Sequence, residues 1–131
     1  MSKPTNAPID PASIRLLAGK GTPQRGGGPG GFYWHIYADQ ERAGNVFINL
    51  VDHPQFGRHA SLQIQIHKRF HGRHIGRVAY RLACERSSYD TVYAHMRKSN
   101  LPSRKAAEAA GFRIVQSKRD PQLSMVWHRG A

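Results

Sequence analysis

The sequence is poor in cysteine and in acidic residues. Its 131 residues include one cysteine, Cys84, and 8 Asp+Glu against 20 Lys+Arg. A single cysteine excludes an internal disulfide framework and a zinc site built from several cysteines. The shortage of acidic residues leaves a net charge of +12, which favours a nucleic acid, a phosphorylated cofactor or another anionic partner.

Long apolar segments are missing as well. No run approaches the ~20 apolar residues that span a bilayer, and residues 1–10 lack the apolar stretch of a secretory signal. We therefore expect no membrane partner and, given the single cysteine, a reducing, cytoplasmic location. The length and the hydrophobic content of 39% predict one folded domain, as a monomer or a homodimer.

Residues 1–30 differ in composition from the rest of the chain. They are rich in proline and contain the run Gly26-Gly27-Gly28-Pro29-Gly30, a pattern typical of segments that pack little. We predict a flexible basic arm over 1–30, with one short helix at 11–18 that Asp10 caps. The folded domain is expected at 31–131.

From residue 31 onwards the apolar residues follow regular patterns. Aromatic, β-branched or alternating apolar residues predict strands at 32–38, 45–51, 60–67, 91–96, 112–116 and 123–128. Apolar residues at spacings of three and four predict a first helix over 75–83. A second helix is predicted over 100–110, capped by Asn100 and ended by Gly111. The order β-β-β-α-β-α-β-β predicts an α/β fold with one mixed sheet and helices on its faces.

A basic loop with two glycines, Gly72 and Gly76, joins the third predicted strand to the first helix. The first turn of a helix exposes unpaired N–H groups at the positive end of its dipole, and glycine lets a phosphate approach that backbone. The nearby cations are Lys68, Arg69, Arg73 and Arg77. The pattern predicts an anion site suited to a pyrophosphate; the alternative is an ordinary turn with solvated arginines.

The same stretch resembles the acyl-CoA motif of the GNAT (N-acetyltransferase) superfamily, Gln/Arg-x-x-Gly-x-Gly/Ala. The motif falls on residues 71–76, where His71 replaces Gln/Arg and His74 replaces the first glycine. Family members also often carry an Asn before the last helix, followed by a small residue, a Tyr and a Gly-Phe pair. Here those positions hold Asn100, Ser103, Ala107, Gly111 and Phe112. The chain is identified as a small member of the superfamily with reduced N-terminal elements, and the resemblance covers about 31–129.

The resemblance implies a sheet that is splayed in the middle and holds acetyl-CoA, the co-substrate, in the opening. The backbone of Ile64 and Ile66 would pair with the pantetheine arm, and Asn100 and Ser103 would lie near the thioester. The pyrophosphate would be held by His71, Gly72, Arg73, His74, Ile75, Gly76 and Arg77. The reaction would be direct acyl transfer to an amine, without a metal. Reduced N-terminal helices would leave a site open to a large substrate.

Acyl transfer to an ammonium group needs a base. His59 and Gln63, on the third predicted strand, lie near where the family often places one, and His35 on the first strand is a further candidate. Each histidine taken singly is more often an ordinary surface or loop residue, and among the candidates for a base we place His59 ahead of His35. Ala107 stands where the family often has the tyrosine that protonates the thiolate, so the donor would be another residue, such as Tyr93, or water.

Two other readings of the sequence concern metals and nucleic acids. His67, His71 and His74 would bind a metal only if a strand end, a loop and a helix start brought them together, and no metal is expected. The rival function is a non-catalytic nucleic-acid-binding module that uses the basic arm and the arginine-rich helix. The acyltransferase and the nucleic-acid-binding functions are combined if the acceptor of the acyl group is a tRNA, DNA or an acidic protein. Stabilisation by acetyl-CoA would distinguish the enzyme from the binding module.

Overall fold

The structure, a computed structural model, describes residues 7–115 and 121–131. Seven strands form one sheet: β1 (Ile14–Ala18), β2 (Phe32–Ala38), β3 (Glu41–His53), β4 (Gly57–Ile66), β5 (Thr91–Arg97), β6 (Arg113–Val115) and β7 (Gln122–His128). Two α-helices, α1 (Ile75–Arg86) and α2 (Leu101–Ala109), and short helical turns at Pro11–Ser13, Pro23–Gly27 and Lys68–Phe70 connect them. Residues 1–6 of the predicted arm and residue 116 of a predicted strand lie outside the described residues.

The sheet is mixed, with the spatial order β1-β2-β3-β4-β5-β7-β6. Neighbouring strands are antiparallel except β4 and β5, which run parallel and share the single register pair Ser61–Tyr93. The predicted α/β fold with one mixed sheet is confirmed, and so is the order of elements from β2 onwards. β3 begins earlier than predicted because the turn at Asp39, with φ 55°, lets Glu41 pair with Ala38. β4 begins earlier because Gly57 pairs with His53 at the end of β3.

The predicted helix over 11–18 is wrong. Only Pro11–Ser13 forms a single helical turn, which Asp10 caps through the amide of Ala12 at 3.0 Å. The chain then continues as β1, which pairs antiparallel with β2. Ile14 and Leu16 point into the core, while Arg15 and Leu17 are exposed. This alternation of buried and exposed side chains is that of a strand, and it favours a strand over a helix here. The sheet therefore begins at Ile14, and not after residue 31.

The glycine-rich segment between β1 and β2 packs against β3. The side chain of Asn49 accepts a hydrogen bond from the Gly26 amide at 2.7 Å and donates one to the Gln24 carbonyl at 2.7 Å. Gly26 is buried at a φ of 76°, and a Cβ there would overlap the carbonyl of Phe32. Glycine thus allows a tight turn that the composition alone suggested would be loose.

The two helices pack on one face of the sheet. Ile75, Val78, Ala79 and Ala83 of α1 are buried, as their spacing predicts. In β2, burial alternates: Trp34, Ile36 and Ala38 join the core, and the residues between them are half-buried on the opposite face. Among the described residues no α-helix covers that opposite face of β2.

We predict that Leu16→Ala lowers the free energy of unfolding by about 2–5 kcal/mol, because it opens a cavity in the core under β1. Leu17→Ala is the matched control: Leu17 is 56% exposed, and its loss should change stability by less than about 0.5 kcal/mol. Urea denaturation of both variants measures the difference. Equal effects from the two leucines would contradict the assignment of β1 to the sheet.

Candidate functional site

A cavity of about 590 Å³ lies between the end of β4, the start of α1 and the start of α2. It is lined by all of the residues that the sequence predicted for acyl-CoA binding: Ile64, Ile66, His71, Gly72, Arg73, His74, Ile75, Gly76, Arg77, Asn100 and Ser103. These residues come from three elements that are separate along the chain. The fold therefore brings both sequence motifs to one place.

The loop before α1 has two residues in the left-handed region. Gly72 has a φ of 77° and open space where a Cβ would be. His74 has a φ of 64°, so it adopts the conformation that a glycine would take without strain. The strain for a residue with a Cβ is about 1–2 kcal/mol. His71 anchors the loop, because its Nε2 donates to the Ile66 carbonyl at 2.8 Å.

The N-terminus of α1 faces this cavity without a side-chain cap, since His74 makes no capping hydrogen bond. Its first N–H groups can therefore bind an anion. Arg77 and Lys105 line the cavity with exposed side chains. Arg69 instead pairs with Glu41 at 3.1 Å, and Arg73 Nε donates to the Ala7 carbonyl at 3.1 Å, so part of the predicted positive charge is engaged elsewhere.

Sequence reasoning missed two polar residues of this cavity, Tyr80 and Lys105. The Tyr80 hydroxyl lies 2.6 Å from Ser103 Oγ, and its ring packs against Phe112 with centroids 5.4 Å apart. Burial raises the pKa of Tyr80, so the hydroxyl stays protonated and can donate. Tyr80 lies one turn after Gly76 on α1, and that spacing places it on the same helix face.

Asn100 caps α2 by accepting a hydrogen bond from the Ser103 amide at 3.3 Å, as predicted for that residue. Ala107 follows Ser103 by one turn and is fully buried. It leaves no polar group at that position of the helix. Gly76 of α1 approaches α2 closely, and a Cβ there would lie 3.2 Å from the Cβ of Ala106.

A chain of hydrogen bonds crosses β4, β5 and β7 beside the pair Ser61–Tyr93. His59 is 8% exposed; its Nδ1 lies 2.8 Å from the Gly57 carbonyl and its Nε2 2.8 Å from His95 Nε2. His95 Nδ1 in turn lies 2.8 Å from Ser124 Oγ. We call these groups the His59–His95 chain. Sequence analysis proposed His59 but missed His95, because 36 residues separate the two positions.

The other candidates for a base lie elsewhere. His35 is half-buried on β2, two strands away from β4, and its pKa is lowered by burial and by the charge of Arg42. Gln63 is exposed on β4. Tyr93 packs against His59 with ring centroids 4.7 Å apart, outside the residues that line the cavity.

Burial raises the pKa of Cys84 to about 12, so the thiol is not a nucleophile at neutral pH. Within 7–115 and 121–131, no three His, Cys, Asp or Glu side chains are arranged to hold a metal ion. No helix of the described chain is long and apolar enough to cross a membrane.

A sequence model of the acetyltransferase (GNAT) domain matches residues 8–113. The chain belongs to the GNAT acetyltransferase family. The match begins before β1, in agreement with the place of β1 in the sheet. A comparison with curated protein sequences finds no significant match.

Solved GNAT-like structures share the fold. One is RimJ of Mycobacterium smegmatis, determined with CoA-disulfide, which is 22% identical to this chain with a TM-score of 0.63. The match covers 76% of this chain and 53% of the RimJ chain. The N-acetyltransferase PseH of Campylobacter jejuni, determined with acetyl coenzyme A, is 16% identical with a TM-score of 0.59 over 77% of this chain and 70% of its own. This GNAT chain thus spans little more than half the length of RimJ.

Proposed function

We propose that this GNAT chain is an acyl-CoA-dependent N-acyltransferase that moves an acetyl group from acetyl-CoA to an amine. The observation that carries the proposal is the cavity, since it collects both family motifs around one uncapped helix N-terminus. PseH, a relative in fold, is known with acetyl coenzyme A. The single cysteine, buried in α1, is consistent with a reducing cytoplasm.

In the proposed reaction the pyrophosphate of acetyl-CoA lies against the amides of Gly72–Gly76, with Arg77 and Lys105 beside it. Helix N-termini and glycine backbone bind phosphate in this manner. The pantetheine arm follows the edge of β4 at Ile64 and Ile66, and Asn100 and Ser103 lie towards the thioester. The amine attacks the thioester carbon after it has lost a proton to a base.

Tyr80 is the proposed donor to the leaving thiolate. The family's usual tyrosine position is Ala107, one turn from Ser103 on α2. The Tyr80 hydroxyl reaches that same Ser103 from α1 and lines the cavity. Its raised pKa keeps it protonated at neutral pH, as a proton donor has to be.

Gly72→Asp should abolish acetyl-CoA binding, because it puts a carboxylate beside the proposed pyrophosphate. Gly130→Asp is a control for backbone strain, since φ is 76° at Gly130 and 77° at Gly72. At both positions a Cβ would lie in open space. Gly130 does not line the cavity. Isothermal titration calorimetry measures both affinities. Wild-type affinity in a folded Gly72→Asp variant would overturn the assignment of the pyrophosphate site.

His59→Ala should lower turnover by about 100-fold, as expected when a base or the residue that positions it is lost, with acetyl-CoA affinity unchanged. The rate should fall in acid, because only a neutral imidazole can take the proton. His35→Ala is the matched control and should keep full turnover. Initial rates with glycinamide as the amine test both variants. Loss of turnover in His35→Ala alone would move the base to β2.

The acceptor is proposed to be large and acidic or associated with nucleic acid. On the sheet face opposite the helices, Arg15 and Arg42 lie over the Tyr37 ring at 5.7 and 6.0 Å. On the same face the Tyr33 ring stacks on Phe47 with an interplanar angle of 13°. Exposed cations next to aromatic rings suit single-stranded nucleic acid. Labelled acetyl-CoA incubated with separated protein, tRNA and DNA fractions identifies the acceptor class.

A non-catalytic nucleic-acid-binding module remains the alternative function. The net charge of +12 and the Arg15–Tyr37–Arg42 cluster favour it as well. Thermal unfolding distinguishes the two functions, since only the enzyme should be stabilised by acetyl-CoA.

The double variant Arg15→Gln/Arg42→Gln should flatten the salt dependence of tRNA binding. Each lost phosphate contact reduces the log–log slope by about 0.7 for single strands, so the change should be about 1.4. Arg81→Gln/Arg104→Gln removes the same charge from the helix face, where both arginines pair with glutamates, and should leave the slope nearly unchanged. Equal slopes in both variants, or no tRNA binding at low salt, would contradict an acceptor surface on the open sheet face.

A further inference from the structure

We infer that His95 accepts the proton of the acceptor amine and that His59 positions it for this task. The inference rests on the proposed acetyl transfer and deepens it. Both ring nitrogens of His59 are already engaged, one with the Gly57 carbonyl and one with His95. His59 can therefore serve as a base only through its neighbour.

The hydrogen bonds fix the protonation of both neutral rings. A carbonyl only accepts, so His59 Nδ1 carries a proton and its Nε2 accepts. His95 Nε2 must then donate to His59 Nε2, which leaves His95 Nδ1 without a proton. The Ser124 hydroxyl donates to that nitrogen at 2.8 Å. The basic nitrogen of the His59–His95 chain is thus Nδ1 of His95.

Neighbouring rings hold His95 in place. The His53 ring lies parallel to it, with centroids 5.5 Å apart and an angle of 1°, and the Tyr93 ring lies at 6.0 Å and 8°. His53 is itself fixed, because its Nδ1 accepts from the Gln55 amide at 3.0 Å. Among the described residues, the titratable groups in contact with His95 include His53 from β3, His59 from β4 and Tyr93 from β5, and Ser124 adds a hydroxyl from β7.

The register places His95 at the opening between β4 and β5. His95 lies two residues past the pair Ser61–Tyr93, where β5 leaves the edge of β4. By the alternation of a strand, its side chain belongs to the same sheet face as Tyr93 and Ser61, which is opposite the face of Ile64 and Ile66, which line the cavity. A thioester in the gap would therefore meet an amine that approaches from the side of His95.

The ammonium nitrogen loses two protons during the reaction. One N–H bond of the ammonium breaks and the proton bonds to His95 Nδ1, as the Ser124 hydroxyl turns away. The amine lone pair attacks the thioester carbon, the C–S bond breaks, and CoA thiolate leaves. Tyr80 donates its proton to the thiolate, and the second proton of the nitrogen goes to the Tyr80 oxygen, which yields the amide, CoA thiol and the original tyrosine. The His95 imidazolium is stabilised by its Nε2–H bond to His59 and then releases its proton to solvent.

Glutamine variants separate the two roles, since a glutamine amide can take the position of Nε2 but has no counterpart of Nδ1. His95→Gln keeps the bond to His59 and loses the basic nitrogen. It should lower kcat with glycinamide by about 100-fold and remove the acidic limb of the pH profile, with unchanged acetyl-CoA affinity. His59→Gln keeps an acceptor for His95 and should restore most of the turnover that is lost in His59→Ala.

Nitrogen-15 NMR of the histidine rings tests the assignment without turnover. Neutral His95 should be the Nε2–H tautomer in the wild type and in His59→Gln, and a mixture of tautomers in His59→Ala. An Nδ1–H tautomer in the wild type, or a wild-type pH profile in His95→Gln, overturns the inference. If the protein binds acetyl-CoA but acetylates no amine, the proposed function fails, and the tautomer still decides whether His95 carries the basic nitrogen.

Discussion

The divergence of β4 from β5 is the constraint on which the site depends. The two parallel strands share one register pair, Ser61–Tyr93, although β4 is paired along its whole length with β3. Among the described strands, none pairs with the edge of β4 beyond Ser61 on the β5 side. Backbone N–H and C=O groups need partners, and an extended ligand with amide groups can supply them. The cavity at Ile64 and Ile66 lies along this same edge.

The N-terminal segment stabilises the site and leaves one face of the sheet accessible. The amide of Ile9 donates to the Arg73 carbonyl at 3.1 Å, and Arg73 donates back to the Ala7 carbonyl, so these residues brace the loop before α1. Further along, the glycine-rich turn covers Phe47 but none of the described helices covers Tyr37. The connection between β1 and β2, residues 19–31, thus contains no α-helix that would cover the basic and aromatic face.

Local sequence patterns predicted most of the helices and strands. They did not predict contacts between residues that are distant along the chain. β2 matches its prediction because its residues are aromatic and β-branched, and α1 follows its apolar spacing. β1 was mistaken for a helix because Asp10 and Pro11 form a true helix start that lasts one turn. The alternation of Ile14 and Leu16 was the signal for a strand. The bond from His59 to His95 was unpredictable, since the register of a parallel pair has no local sequence signature.

The hydroxyl group of Tyr80 lies near the place on α2 where Ala107 leaves no polar group. A helix presents positions one turn apart on the same face, so Ser103 and Ala107 point towards the same neighbour. That neighbour is α1, whose Tyr80 hydroxyl bonds Ser103 and whose ring packs on Phe112, just beyond α2. A small side chain at 107 leaves room for a large one from the facing helix, because a close-packed interior conserves volume rather than sequence position. The hydroxyl that the motif on α2 lacks thus reaches the cavity from α1.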